Sequence, residues 1–554
     1  MRYMDAENAM SKRNPRRPMR PAMASMRRRP FLAGAAAALA APMISRAWAA
    51  AQVLKFIPAT DLTILDPIWT TDYRTRNHAF AVFDTLYGQT GPSQGFKATP
   101  QMLAGHAIED DGRTWRLTLR DGLMFHDGQK VLARDCVASI RRWCVRDAFG
   151  QALMQRTDEL RAADDRMIVF RLKEPFPLLP DALGKSASNM CAIMPERLAL
   201  TDPFKQVPEV VGSGPFRFGA NERVQGALVV YERFRDYKPR EDGPPDWTSG
   251  PKVAHFDRVE WHVIPDEATA LNALRLGEVD WMEVAPVDLL DDLRQDRDIR
   301  LMLLDPTGFC AVLRPNHLYP PFDNRAVRHA LFGAIDQTDF MSAAVGTDRS
   351  QWRAPIGYFA PTSPLATDAG MPTLTGKRDY GLVRSALESA GYKGEKIVLM
   401  GPADFPILTA LTEVAADMLR KSGMNVDYQA TDWGTVVQRR ALRKPPDQGG
   451  WNMFCTSLAG LDVFSPAGNQ ALRGNGAAAW FGWPSNPGLE RLREAWFAAP
   501  DLDAQKKIAA EIQIQAFQDV PYYPLGLYYR QSAYRADLSG VLHGIPVFWN
   551  VQRL

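Results

Sequence analysis

The side chains able to do chemistry are thinly spread along the 554 residues. Only eight histidines occur, and the nearest two, His255 and His262, sit on or beside one candidate strand with no third ligand in view. There is no His-Glu-x-x-His pair to put two imidazoles on one helix face, and no Gly-x-Ser-x-Gly stretch reads as a strand-to-helix nucleophile elbow. Carboxylates are scattered, and nothing singles out a pair for acid–base work. The five cysteines, Cys136, Cys144, Cys191, Cys310 and Cys455, form no Cys-x-x-Cys or Cys/His set for a metal. Cys136 and Cys144, the only close pair, are eight apart, which suits neighbouring helix turns poorly, so mostly buried free thiols are expected. The expectation is therefore a protein without catalytic residues, metal or cofactor, and a periplasmic hydrolase is the weaker alternative.

The first 49 residues stand apart. They hold ten Lys and Arg against Asp5 and Glu7, then an apolar run from Phe31 to Ile44, then Ala47-Trp48-Ala49. A basic start, a short apolar stretch and a small-residue end make an export signal. The run is shorter than the roughly 20 residues a bilayer span needs. Arg28 to Leu32, "RRPFL", resembles the twin-arginine export motif; an arginine-rich Sec signal is the alternative, and Met10, Met19, Met23 and Met26 are alternative starts. Cleavage after about Ala49 would leave a periplasmic protein, with no cysteine nearby for a lipid anchor. The leader carries a formal +8, so removing it from the whole chain's +3 leaves −5. Nothing in that balance attracts nucleic acid or an anionic membrane.

The remaining length is too great for one core and calls for two or three domains. In "DDGRTWRLTLRDGLMFHDGQKV", Asp110 to Val131, alternation places Trp115, Leu117 and Leu119 on one side of a strand, and three Asp-Gly steps mark turns. Leu132 to Val145 reads as a helix and Asp165 to Pro177 as a strand. Phe256 to Val284 reads as strand, helix, strand, with Asp266 capping the helix and Gly277 ending it; that length points to a parallel pair. Pro320 to Met341 reads as a helix with Val327, Ala330, Leu331, Ala334 and Ile335 inward. Leu408 to Trp433 reads as helix then strand, and Ala504 to Tyr529 as helix then aromatic strand.

Four stretches in order resemble the family 5 extracellular solute-binding proteins, periplasmic receptors of peptide, nickel and related ABC importers. They are Met102 to Asp135, Val211 to Phe218 ("VGSGPFRF"), Val263 to Asp280 and Pro320 to Asp336. The resemblance implies an α/β, two-lobed periplasmic binding protein of type II, with an extra subdomain in lobe I and a ligand cleft between lobes. It implies lobe I from 50–82, 208–308 and 521–554, the subdomain from 83–207 and lobe II from 309–520. It places the Asp-Gly turns in the subdomain, as scaffold. It also implies partners: a small-molecule or peptide ligand, and an inner-membrane permease with a cytoplasmic ATPase, served by a monomer. Nickel is disfavoured, since no histidine-rich cleft segment occurs.

A peptide receptor must bury an ammonium, a carboxylate and extended backbone, and buried charges need partners. By the resemblance, Asp462, four residues before Pro466, meets the ligand ammonium; Leu458 and Ala459 stand where the family usually has a tryptophan, which leaves room for another amine-bearing solute. Trp433 is a cleft wall and Arg440, seven residues on, meets a carboxylate. The loop from Asp66 to Asn77 enters the cleft and offers Trp69, Thr71 and Tyr73. Trp480, with Phe481 and Trp483, is a pocket wall, and Arg473 a second candidate for a ligand anion. The plainer alternatives are a surface-loop Asp462, a core Trp433, a solvated helix face for Arg440 and a lobe cover for Trp480.

Overall fold

A computed structural model describes residues 52–554. The expected export signal, 1–49, lies outside the described residues. The lobes are built on two mixed sheets. The first runs Ile299–Leu303, Gln531–Arg535, Trp281–Met282, Val53–Ile57, Arg258–His262, Leu228–Arg233, Phe216–Phe218. Val53–Ile57 pairs in parallel with Arg258–His262 on one side and Trp281–Met282 on the other. The two strands read from 256–284 are thus parallel, but Val53–Ile57 lies between them. Helix Glu267–Arg275 joins them, capped by the Asp266 side chain on the Thr269 N–H, and buries Ala270, Leu271, Ala273 and Leu274. Phe56, Trp261, Trp281 and Phe548 fill the space beneath with ring centroids 5.1 to 5.9 Å apart, within the range where tilted aromatic pairs attract.

The second sheet runs Trp352–Arg353, Tyr523–Tyr528, Phe309–Pro315, Met453–Ala459, Lys396–Pro402, Asn425–Thr431. Phe309–Pro315 is buried along its whole length between two antiparallel neighbours. A boundary at 520/521 would give Tyr523–Tyr528 to the first lobe. That strand is wholly buried and pairs with Phe309–Pro315, so the last crossing falls between Tyr528 and Gln531.

The extra subdomain carries a four-stranded antiparallel sheet, Leu103–Glu109, Thr114–Leu119, Met167–Leu172, Thr157–Ala162. Its first hairpin turns through Asp110, Asp111 and Gly112, at φ of 52°, 53° and 89°. Aspartate tolerates that left-handed region better than most residues and glycine enters it freely, which explains the Asp-Gly step as turn chemistry. Trp115, Leu117 and Leu119 point into the core under helix Ala133–Arg146.

The stretch 320–341 is not one helix. Asn324 caps Arg325–Ala330, a 3-10 turn follows at Leu331–Ala334, Ile335 is extended, and Asp336 caps a second helix, Gln337–Val345. The Asp336 carboxylate accepts from the Thr338 N–H, which starts a new helix where the old one would have continued. All five cysteines are free and buried, and burial raises their thiol pKa values.

Candidate functional site

The site begins with the loop ahead of helix Tyr73–Val82. Asp66 anchors that loop by taking both terminal nitrogens of Arg142 at 3.1 and 2.7 Å. Asp72 caps the helix by accepting from the Arg74 N–H. The loop and the helix start therefore present Trp69, Thr70, Thr71 and Tyr73 to the second lobe.

Across that boundary the side chains interlock. The Tyr73 hydroxyl donates to Asp462 Oδ2 at 2.5 Å and accepts from the Ala459 N–H. Ser188 gives the same carboxylate its N–H at 3.0 Å and its hydroxyl at 3.2 Å. Burial, then the Asp462 charge, push the Tyr73 phenol well above its ordinary pKa. Asp462 is buried, so it is no surface-loop residue. The Trp433 indole N–H donates to Asp72 Oδ2 at 2.5 Å. Burial opposes the Asp72 carboxylate, but the charge and bonds of Arg74, with Trp433 and Arg440, hold its pKa below the usual value. Gly434 presses against Thr63 of the first lobe: a Cβ there would lie 2.5 Å from Thr63 Cγ2.

Arg440 is also not on a solvated face. It is 2% exposed, and its guanidinium lies 4.9 to 5.8 Å from the ring centroids of Phe481, Trp433, Trp480 and Phe454. One terminal nitrogen donates to the hydroxyls of Thr70 at 3.3 Å and Thr71 at 3.4 Å, and Nε has no partner. Among the described residues no carboxylate forms an ion pair with it. Burial lowers its pKa to about 10. A cation held in aromatic surroundings with a free donor can receive an anion.

Arg473 differs. Glu490 takes its guanidinium at 2.7 Å and Gln151 accepts from it at 3.0 Å, so its charge is already answered. It lines a separate hollow with Glu490 and Glu494. A cavity of about 620 Å³ lies between the lobes, lined by Trp69, Thr71, Asn189, Gln470, Trp480 and Arg443 among others. The Trp480 indole donates to the Thr71 hydroxyl at 3.2 Å. Of the eight predicted residues, Trp69, Thr71 and Trp480 line this cavity. Tyr73, Asp462, Trp433 and Arg440 form the seam where the lobes meet. Three contributors escaped the sequence reading. Asp72 was legible as a capping acid ahead of a helix. Ser188 lies in an irregular stretch with no period to reveal it. Arg314, in the buried strand, holds the carbonyls of Trp480 and Phe481 at 3.2 and 2.6 Å and so sets the wall's position.

Two sheets on two lobes, with a cavity and charged groups between them, agree with what the chain matches. The model of bacterial extracellular solute-binding proteins, family 5 (middle), matches residues 97–478. The chain belongs to that family. It is 36% identical over 539 residues, 96% of this chain and all of the relative, to y4tO of Sinorhizobium fredii, named a probable peptide ABC transporter periplasmic-binding protein. Solved family folds superpose on it: AgaA of A. tumefaciens R10 with agropinic acid (TM-score 0.75, 18% identity, 91% of this chain and 99% of that one) and DppA of Helicobacter pylori with peptide STSA (TM-score 0.73, 21% identity, 90% and 98%). The family is one of solute binders rather than enzymes. The Gly-x-Ser-x-Gly spacing at Gly91–Gly95 fits that reading: Ser93 is exposed in a 3-10 turn, Pro92–Gln94, and not on a strand-to-helix elbow.

Proposed function

We propose that this family 5 protein is a periplasmic receptor of an ABC importer. It captures a peptide or peptide-like, amine-bearing solute by closure of its lobes and delivers it, as a monomer, to a permease driven by a cytoplasmic ATPase. The observation that carries the reading is the pairing of a carboxylate and a guanidinium at one lobe boundary. Asp462 and Arg440 both belong to the second lobe, and both are held by first-lobe or subdomain groups, Tyr73 and Ser188 for the acid, Thr70 and Thr71 for the base. In this reading Asp462 meets the ligand ammonium, Arg440 meets a carboxylate, and Trp69, Thr71 and Trp480 wall the space between. The printed name of the 36% identical relative supports the peptide class. Leu458 and Ala459, small where the family usually has tryptophan, favour a second reading in which the amine belongs to an opine or other amino-acid conjugate.

Contacts between the lobes exist only when they are shut, so a ligand that touches both lobes shifts the population by its differential affinity for the closed form. The basic leader fits export, by the twin-arginine route, to the compartment where such receptors work. Calorimetry against peptides and amino-acid conjugates tests the reading, with Asp462→Asn as the decisive variant. Loss of a hydrogen-bonded charge partner should weaken amine-bearing ligands by roughly tenfold or more. Equal affinity in both proteins removes Asp462 from the site. Native mass spectrometry of protein purified from its own periplasm would give the carried solute by mass.

A further inference from the structure

We infer that a side pocket built around Asp181 takes a cationic group, an ammonium or guanidinium on an aliphatic stem, from the captured solute. This rests on the capture reading above and adds a specificity to it. The pocket is a cavity of about 270 Å³ between the extra subdomain and the second lobe. Whole small-molecule sites run to about 300–1,000 Å³, so its size suits one side chain rather than an entire ligand. Its walls include the rings of Phe96, Phe149, Phe464 and Trp496 and the polar side chains of Gln89 and Gln505, with Asp181 as the one acid.

Among the described residues, no ion pair and no other side chain answers the Asp181 carboxylate; the one hydrogen bond it has is from its own backbone N–H. The cation that could have answered it, Lys185, lies one helical turn further on and also lines the cavity, but it is bonded to Asp147 within the subdomain. Asp181 is half-buried, and burial lifts its pKa to about 6. An unanswered carboxylate in a partly dry site is unfavourable. A bound cation supplies the missing partner, the rings attract it further, and the walls cover its stem.

The pocket also lies beside the ammonium grip. Ala187 and Leu461 line it, and they are the chain neighbours of Ser188 and Asp462, which bond each other. A solute held by its amine at Asp462 therefore has the pocket within reach of an adjacent side chain. The competing explanation is structural: Asp181 stands in the first turn of helix Leu179–Gly184, where an acid favours the helix dipole. That role would make no distinction between ligands.

The test is calorimetry on otherwise identical tripeptides that carry lysine, norleucine or glutamate at each position in turn, against the wild type and Asp181→Asn. At one position the wild type should bind lysine about tenfold tighter than norleucine, and glutamate more weakly than either. Asp181→Asn should bring the lysine peptide down to the norleucine level. Thermal unfolding at pH 7.5 or so gives a readout that a helix-dipole role moves the other way: removing an unanswered acid should raise Tm, whereas loss of a dipole partner lowers it. Equal binding of lysine and norleucine by the wild type, a lysine preference that survives Asp181→Asn, or a lowered Tm overturns the pocket and leaves capture standing. Binding of no peptide in the panel overturns the capture reading, and the pocket with it.

Discussion

Tyr73 and Asp462 are 389 positions apart in the chain and meet at 2.5 Å across the boundary between the lobes. The same hydroxyl accepts from the Ala459 N–H, so one phenol closes two bonds that exist only when the lobes are together. Tyr73→Phe keeps the ring against Phe309, whose centroid is 5.8 Å away, and removes both bonds. A buried group left without its partner costs about 1–3 kcal/mol. The closed form bears that loss and the open form does not. Apparent affinity for every ligand should therefore fall roughly fivefold to a hundredfold, since it scales with the closed fraction. Calorimetry measures the loss, and small-angle scattering should show a larger radius of gyration for the variant. Unchanged affinity would mean that the phenol contributes nothing to closure.

Arg440 should show opposite effects on stability and binding. Its charge is buried and, among the described residues, has no ion-pair partner, and burial already lowers its pKa to about 10. Arg440→Met retains an apolar stem among the four rings. An apolar side chain there avoids the desolvation cost that a buried charge without an ion-pair partner carries. Urea unfolding of the free protein should therefore show equal or greater stability. Binding of carboxylate-bearing ligands should drop by roughly tenfold or more, because the charge-assisted bond is gone. A variant that loses stability and keeps its affinity would show that Arg440 is a packing residue only.

A second interlock lies at Arg156, in the subdomain. It bonds Glu494 of the second lobe at 2.8 Å and Glu174 of the subdomain at 3.0 Å, and lies over the rings of Phe176 and Phe497. Glu494 is 45% exposed, so the pair is worth at most about 1 kcal/mol. Arg156→Met should weaken all ligands alike by about two- to fivefold. A double-mutant cycle with Glu494→Gln isolates the pair, and a coupling near zero would assign the effect to the rings.

Much of the scaffold was legible because it is local. Three Asp-Gly steps and an alternating run are enough to specify a hairpin, and Asp266 with Gly277 bracket a helix wherever the chain goes next. The candidate site was legible only through likeness to a family, which singled out Asp462, Trp433 and Arg440 with Thr71 and Tyr73 of the facing loop, but not Asp72, Thr70 or Ser188. Ser188 and Asp462 are 274 residues apart, and no local pattern records that one will hold the other. Arg440 has the polarity of a surface residue, yet four rings of its own lobe and Thr70 and Thr71 of the other close around it. The break at Ile335 was hidden for another reason: the apolar spacing continues through it, while the Asp336 cap restarts the helix.

Acid should destabilise the protein earlier than its carboxylates alone would. His78 and His126 are buried and neutral. The first contacts the Tyr231 hydroxyl at 3.0 Å, and the second sits between the Gly214 carbonyl and the Gly212 N–H. Burial lowers their pKa values to about 3 and about 4, and carries His317 down as well. In the unfolded chain the same rings take up protons near pH 6.5. Between that value and pH 4 the unfolded state holds more protons than the folded one, so stability falls as pH falls. Each ring contributes about 1.4 kcal/mol per pH unit in that window. Two rings thus remove about 4 kcal/mol between pH 7 and pH 5, before Asp72 begins to titrate. Asp181 works the other way, because its raised pKa makes the folded state the better proton acceptor between about pH 6 and 4. It offsets less than one ring. Denaturant unfolding at pH 7, 6 and 5 should therefore show a midpoint that drops steadily, and proton uptake on unfolding of more than one per molecule at pH 5.5 or so. A midpoint that stays flat from pH 7 to pH 5 would mean that these rings are charged, or solvated, in the folded protein.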